Sequence, residues 1–184
     1  MDERKSLMNV NIDFARLSDI LESSEIMQYW YRVQDKSKGF LFGVPFTEKE
    51  LQLMMDHKAI FVAKNEAVVL GYFLIDEITD NETTQMNKQL LDEIYDKDFF
   101  GYDKADLIPR AQIAVGPNCQ ENVSRKLMDF FKENYQGPKK AMFSIVARDN
   151  PNIHVHIRNG VEVVLQDERY YYVLFKLDQK GKCV

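Results

Sequence analysis

Apolar and polar residues alternate over residues 10–14, with Val10, Ile12 and Phe14 on one face, which is the period of a strand. Over residues 18–33 the period lengthens: Ile20, Leu21, Ile26, Met27, Trp30 and Tyr31 recur at near-helical spacing and predict a helix. Residues 36–45 set Gly39, Gly43 and Pro45 around Phe40, Leu41 and Phe42, and read as an ordered loop with apolar side chains. Thr47, followed three residues later by Glu50, forms a capping box, so a helix is expected from Glu48 to about His57. Residues 59–63 and 68–75 are apolar, rich in β-branched and aromatic side chains, and joined by Lys64-Asn65-Glu66; they predict an antiparallel hairpin.

Residues 76–106 are polar and acidic, with a weak helical pattern through Met86, Leu90, Leu91, Ile94 and Tyr95, and read as an elaborated insertion. A strand follows over 107–115, with Pro109 near its start, and then a helix over 123–134 with Val123, Leu127, Phe130 and Phe131 on one face. Residues 141–147, apolar apart from Ser144, give the next strand. Asn150-Pro151 has the form of an N-cap with proline at the first helical position, and Asn159-Gly160 that of the matching stop. Between them Ile153, Val155 and Ile157 alternate with His154 and His156, so residues 152–158 fit either a short helix or a strand. Residues 161–165 and 170–177 close the chain as a second antiparallel pair. The order predicts one α/β (α+β) domain over residues 1–184, a mixed, mostly antiparallel sheet of about seven strands with helices on both faces.

Composition narrows this picture. With 45% apolar and 12% aromatic residues in 184, the chain can bury one sizeable core. No apolar run approaches the roughly 20 residues of a membrane span, and the first residues lead into no signal-peptide stretch. The expectation is a cytoplasmic protein with no membrane partner, a monomer or homodimer. Cys119 and Cys183 lie far apart and suggest free thiols. The net charge of −5 is uneven: ten carboxylates stand against Lys88, Lys97 and Lys104 in the insertion, while the remainder carries 21 basic and 19 acidic residues. The main body therefore does not repel an anionic ligand. No stripe of Lys and Arg interleaved with aromatics appears, so nucleic acid is not an expected partner.

Several local texts, in this order and at these spacings, carry a resemblance. They are Gly39-Phe40-Leu41 before the Thr47-led helix, Val69-Leu70-Gly71-Tyr72 in the third strand, Ile113-Ala114-Val115 ending the fourth, and the run from Asp149 through His156 to Gly160-Val161. Over nearly its whole length the chain resembles the GNAT superfamily of acyl-CoA-dependent N-acyltransferases. The family's Arg/Gln-x-x-Gly-x-Gly/Ala motif falls on Cys119-Gln120-Glu121-Asn122-Val123-Ser124, where Asn122 and Ser124 replace both glycines. The chemistry asks for backbone N–H groups at a helix N-terminus, where orphan donors and the helix dipole favour a pyrophosphate. Asn is the least costly replacement where φ is positive, and Arg125 in the first helical turn is placed to pair with a phosphate. Without a ligand, the same turn is a plain helix start with Asn122 as N-cap.

The resemblance implies acetyl-CoA as co-substrate and no metal. It implies cofactor binding by Ile113, Ala114 and Val115, by Gln120, Glu121, Asn122, Val123, Ser124 and Arg125, and by Asn152. Direct attack of an amine on the thioester then needs a base and an acid. Where many family members carry a carboxylate on the fourth strand, this chain has Arg110, Ala111 and Gln112; Gln112 can orient a water, and Asp103 or Asp106 of the insertion is a candidate base. The position matching the family's acid is His156, which titrates near neutral pH when unperturbed or else serves to pack the cleft edge. His154 and His156 lack a third ligand at metal-binding spacing. Trp30, Tyr31, Phe40 and Phe42 are placed either to line an acceptor pocket or to pack the core, and the Tyr170-Tyr171-Tyr172 run reads as sheet surface and core. An acidic rim from the insertion would favour a cationic amine acceptor.

Overall fold

A computed structural model describes residues 9–75, 101–119 and 122–177. The strands are β1 (Asn11–Phe14), β2 (Ile60–Asn65), β3 (Val68–Ile75), β4 (Leu107–Val115), β5 (Ala141–Ala147), β6 (Glu162–Gln166) and β7 (Tyr170–Lys176). The helices are α1 (Leu17–Arg32), α2 (Glu48–Asp56), α3 (Val123–Asn134) and α4 (Ile153–Arg158). All seven strands join one sheet in the order β1-β2-β3-β4-β5-β7-β6, antiparallel throughout except for the β4/β5 pair. Two ambiguous or compressed readings resolve here. Residues 153–158 are helical, and the Asn150-Pro151 step precedes the helix rather than opening it, because Asn150 Oδ1 accepts from the Asn152 N–H at 3.0 Å and folds 150–152 into a turn. Gly160 ends α4 with φ +85°, a conformation that glycine adopts without strain.

Periodicity explains the layers. In the β2–β3 hairpin Phe61 pairs with Phe73, and both rings meet Phe131 of α3, at 5.6 and 5.3 Å between centroids. Val62 pairs with Tyr72 on the other face, toward α1 and α2. Gly71 lets α3 sit close: a Cβ there would stand 2.8 Å from the Ala114 carbonyl oxygen and 3.1 Å from Val123 Cγ1. The Thr47 capping box forms as its sequence predicts, with the Thr47 N–H donating to Glu50 Oε2 at 2.6 Å and the Glu50 N–H to Thr47 Oγ1 at 3.4 Å. Inside the fold Asp19, 3% exposed, accepts from Lys64 Nζ at 3.0 and 3.1 Å, tying α1 to β2.

Two irregularities of β4 position the site. Toward β5 it is paired only at Leu107, Ile108 and Pro109, after which the two strands part. Toward β3, Leu74 faces Gln112 but Ile75 faces Arg110, so Ala111 is an extra, bulged residue. Simple alternation would put Arg110 and Gln112 on one face. The bulge sends Gln112 to the α1 side and Arg110 to the α4 side.

Candidate functional site

Where β4 and β5 part, a cavity of about 420 Å³ opens between β4, β5, the α1–α2 loop, α4 and the start of α3. Its floor is the free edge of β4. The Gly116 N–H donates to the Leu70 carbonyl, so by antiparallel alternation the backbone groups of Ile113 and Val115 point away from β3 into the opening. Trp30 Nε1 takes the Val115 carbonyl at 2.6 Å. Among the described residues, neither the N–H nor the carbonyl of Ile113 has a partner.

At the far end of the floor, α3 begins with the Asn122 carbonyl accepting from the Lys126 N–H, which leaves the N–H groups of Val123, Ser124 and Arg125 without intrahelical acceptors. Asn122 has φ −71° and makes no side-chain cap, so the positive φ expected of a glycine substitute is not required here. Val123 buries its side chain completely, and Ser124 Oγ accepts from Asn159 Nδ2 at 3.4 Å. Arg125 pairs with Asp129 at 3.5 Å across solvent-exposed side chains, a weak tie that leaves it free to turn. Gln120 and Glu121 lie outside the described residues. Of the expected cofactor residues, Ile113, Ala114, Val115, Ser124 and Asn152 line the cavity, and Asn122, Val123 and Arg125 do not.

One wall is built from the aromatic residues that the sequence left between pocket and core. Trp30, Tyr31, Phe40 and Phe42 all line the cavity. Buried Tyr72 donates to Gln112 Oε1 at 2.5 Å, Gln112 Nε2 donates to the Tyr31 hydroxyl at 3.2 Å, and that hydroxyl lies 3.2 Å from the carbonyls of Phe42 and Val44. Burial pushes both phenols above their usual range, Tyr72 strongly. Gln112 is thus a link between two tyrosines. The opposite wall is pinned to this one: Asn150 Nδ2 donates to the Phe40 carbonyl at 2.9 Å, and Gly39, at φ +106°, leaves the room that the Asn152 amide fills. These contacts were not anticipated from sequence, although polar residues at 110 and 112 in an otherwise apolar strand were a signal for them.

His156 lies on α4 with Nδ1 3.3 Å from Arg110 Nη1. A guanidinium only donates, so Nδ1 accepts and the ring proton resides on Nε2. Burial first, and the Arg110 charge second, lower the His156 pKa to about 3. The expectation that it titrates near neutrality is corrected: this imidazole is held neutral. Burial likewise lowers Arg110 to about 10, which leaves it charged at neutral pH. Asp106 is not at the cleft; its carboxylate accepts from Lys140 Nζ at 2.8 Å beside the closed end of β4, and Asp103 does not line the cavity either. Among the described residues, no carboxylate lines the cavity, and no group of three His, Cys, Asp or Glu residues stands together to hold a metal. Residues 76–100, most of the acidic insertion, lie outside the described residues, so the acidic rim is not among these observations.

No protein-family model and no curated protein sequence matches the chain. Solved structures do. The GNAT-family acetyltransferase of Listeria monocytogenes aligns over 91% of this chain and 95% of its own, with a TM-score of 0.64 at 14% identity. YncA of Salmonella typhimurium, solved with its cofactor acetyl-CoA, aligns over 94% and 96%, with a TM-score of 0.60 at 13% identity. Ard1 of Thermoplasma volcanium aligns over 91% and 97%, with a TM-score of 0.61 at 12% identity. Among these neighbours are GNAT acetyltransferases, and the fold of this chain is the GNAT fold.

Proposed function

We propose that the chain is an N-acyltransferase that takes acetyl-CoA as co-substrate and transfers its acyl group to an amine by direct attack. One observation carries the reading: β4 pairs with β5 for three residues and then leaves an edge, with Ile113 unpaired in the middle and free helix N–H groups at its end. That edge suits a pantetheine chain, whose amides can pair with Ile113. The N–H groups of Val123, Ser124 and Arg125 suit its pyrophosphate without any glycine at 122 or 124, and Arg125 adds a movable cation. Bound acetyl-CoA supplies an activated acyl group: the amine forms a C–N bond to the carbonyl carbon, the C–S bond breaks, and CoA leaves as the thiolate, which takes up, directly or through water, the proton that the attacking nitrogen loses.

The residues have distinct tasks in this reading. His156, neutral and bearing its proton on Nε2, donates a hydrogen bond to developing negative charge rather than delivering a proton from an imidazolium. Arg110 fixes that tautomer. Gln112 holds Tyr31 in the acceptor wall. With no carboxylate among the described lining residues, the amine enters as its free base, and kcat/KM climbs with pH until the amine's own pKa is passed.

The absence of a carboxylate among those lining residues also favours a second reading, an acyl-CoA-binding domain without turnover. Two measurements separate them. Acetyl-CoA and CoA should raise the unfolding midpoint under both readings, while release of free CoA with a panel of amines occurs only under the first. If saturating acetyl-CoA and CoA leave the midpoint unchanged, both readings fall.

A further inference from the structure

Among the described residues, no carboxylate pairs with Arg110. It is 6% exposed, lines the cavity, and stands at the vertex where β4 and β5 part, one residue beyond the last paired position. Its Nε has no hydrogen-bond partner. Among the described residues, its Nη1 meets the neutral ring of His156, which accepts a hydrogen bond but returns no charge. The other lysine or arginine lining the cavity, Lys38, adds to the positive sign rather than offsetting it. A desolvated cation without a counter-charge is costly, and a guanidinium fork matches a carboxylate in geometry as well as sign.

We infer that the molecule bound at the vertex of the cleft carries a carboxylate, which Arg110 receives. This deepens the acyl-CoA reading and rests on it. The carboxylate has two possible sources with the same chemistry: the distal end of a dicarboxylic acyl thioester, or an acceptor amine that also bears a carboxylate.

Titration calorimetry with CoA, acetyl-CoA and succinyl-CoA, on the wild type, Arg110→Met and Arg110→Lys, addresses the first source. Turnover of amino acids against their carboxamides addresses the second. If the acyl chain carries the group, succinyl-CoA binds the wild type at least tenfold more tightly than acetyl-CoA, and the difference vanishes in R110M. If the acceptor carries it, the two thioesters bind alike, and amino acids are used with at least tenfold higher kcat/KM than their carboxamides until R110M removes the preference. R110M without ligand unfolds at a higher temperature than the wild type, since the unpaired buried charge is gone. Should R110M not fold, R110K serves, because it keeps a charge and loses the fork; a preference undiminished in R110K overturns the inference. CoA binding with no carboxylate preference, or a preference that survives R110M, also overturns it and leaves the acyl-CoA reading standing. If CoA itself does not bind, that reading fails; succinate alone then decides for Arg110, by raising the midpoint of the wild type and not of R110M, and no such shift removes both.

Discussion

The two edges of β4 are built from the same nine residues and do opposite things. Toward β3 the strand is paired from Arg110 to Val115 except at the Ala111 bulge, and behind that edge the rings of Phe61, Phe73 and Phe131 pack together at tilted and edge-on angles. Toward β5 pairing stops at Pro109, and the side chains around the gap are Trp30, Tyr31, Arg110 and His156. On the closed edge the strand pairs with β3 on either side of the Ala111 bulge, and Ile113 faces Phe73 of the ring cluster. On the open edge pairing is withheld, and a cleft opens between the strands. If the comparison is right, damage to the closed edge should be read mainly in stability, and damage to the open edge mainly in binding.

The largest effect is expected from Phe131→Ala, which empties a site 1% exposed among three other rings. It should cost about 3–5 kcal/mol in equilibrium denaturation. Acid comes next. A histidine whose folded pKa is about 3 against about 6.5 unfolded contributes stability that is whole above pH 6.5 and is lost as pH falls toward 3, at about 1 kcal/mol per pH unit. His156→Gln should flatten that part of the stability profile, and an unchanged slope would mean the ring is not held neutral. Gly71→Ala joins the two edges, because its new Cβ meets the Ala114 carbonyl and Val123 together. A loss of about 1–3 kcal/mol is expected, with weaker CoA binding as the α3 N-terminus is pushed off the sheet. Gln112→Leu leaves the Tyr72 hydroxyl buried without its acceptor, for a cost of about 1–2 kcal/mol, and should raise the acceptor's KM more than that of acetyl-CoA. Arg125→Ala should change stability by less than about 0.5 kcal/mol, yet weaken CoA binding several-fold at low salt and less at high salt. Retained affinity there would remove Arg125 from the phosphate site.

The elements around both edges were legible because apolar period alone specifies them: β4 and α3 fall on residues 107–115 and 123–134 as the pattern predicts. Residues 152–158 fitted two periods at once, and only the Asn150 turn and the Gly160 conformation decide for the helix. The site was legible in part. Trp30, Tyr31, Phe40 and Phe42, which the sequence leaves open between pocket and core, and His156, open between acid and cleft-edge packing, all line the cavity. Their states were not legible. Whether His156 is charged depends on burial and on Arg110, and no sequence spacing reveals that the Ala111 bulge turns Arg110 and Gln112 to opposite walls. The glycine pattern misled at Asn122, since a helix can offer free N–H groups from an ordinary backbone conformation.

The Trp30–Val115 hydrogen bond has a bearing beyond the ligand. A bare strand edge invites a strand from another chain, which is how sheets propagate into aggregates. Here the bare length is bounded by Pro109, which has no N–H to give, and by Gly116-Pro117, while Trp30 occupies the outermost carbonyl and Ala111 breaks the ladder within. Unpaired toward β5 are residues 110–115, interrupted by the bulge at Ala111 and covered at Val115 by the indole. By occupying that carbonyl, the indole both narrows the opening and removes one of the acceptors that a strand from another chain would pair with.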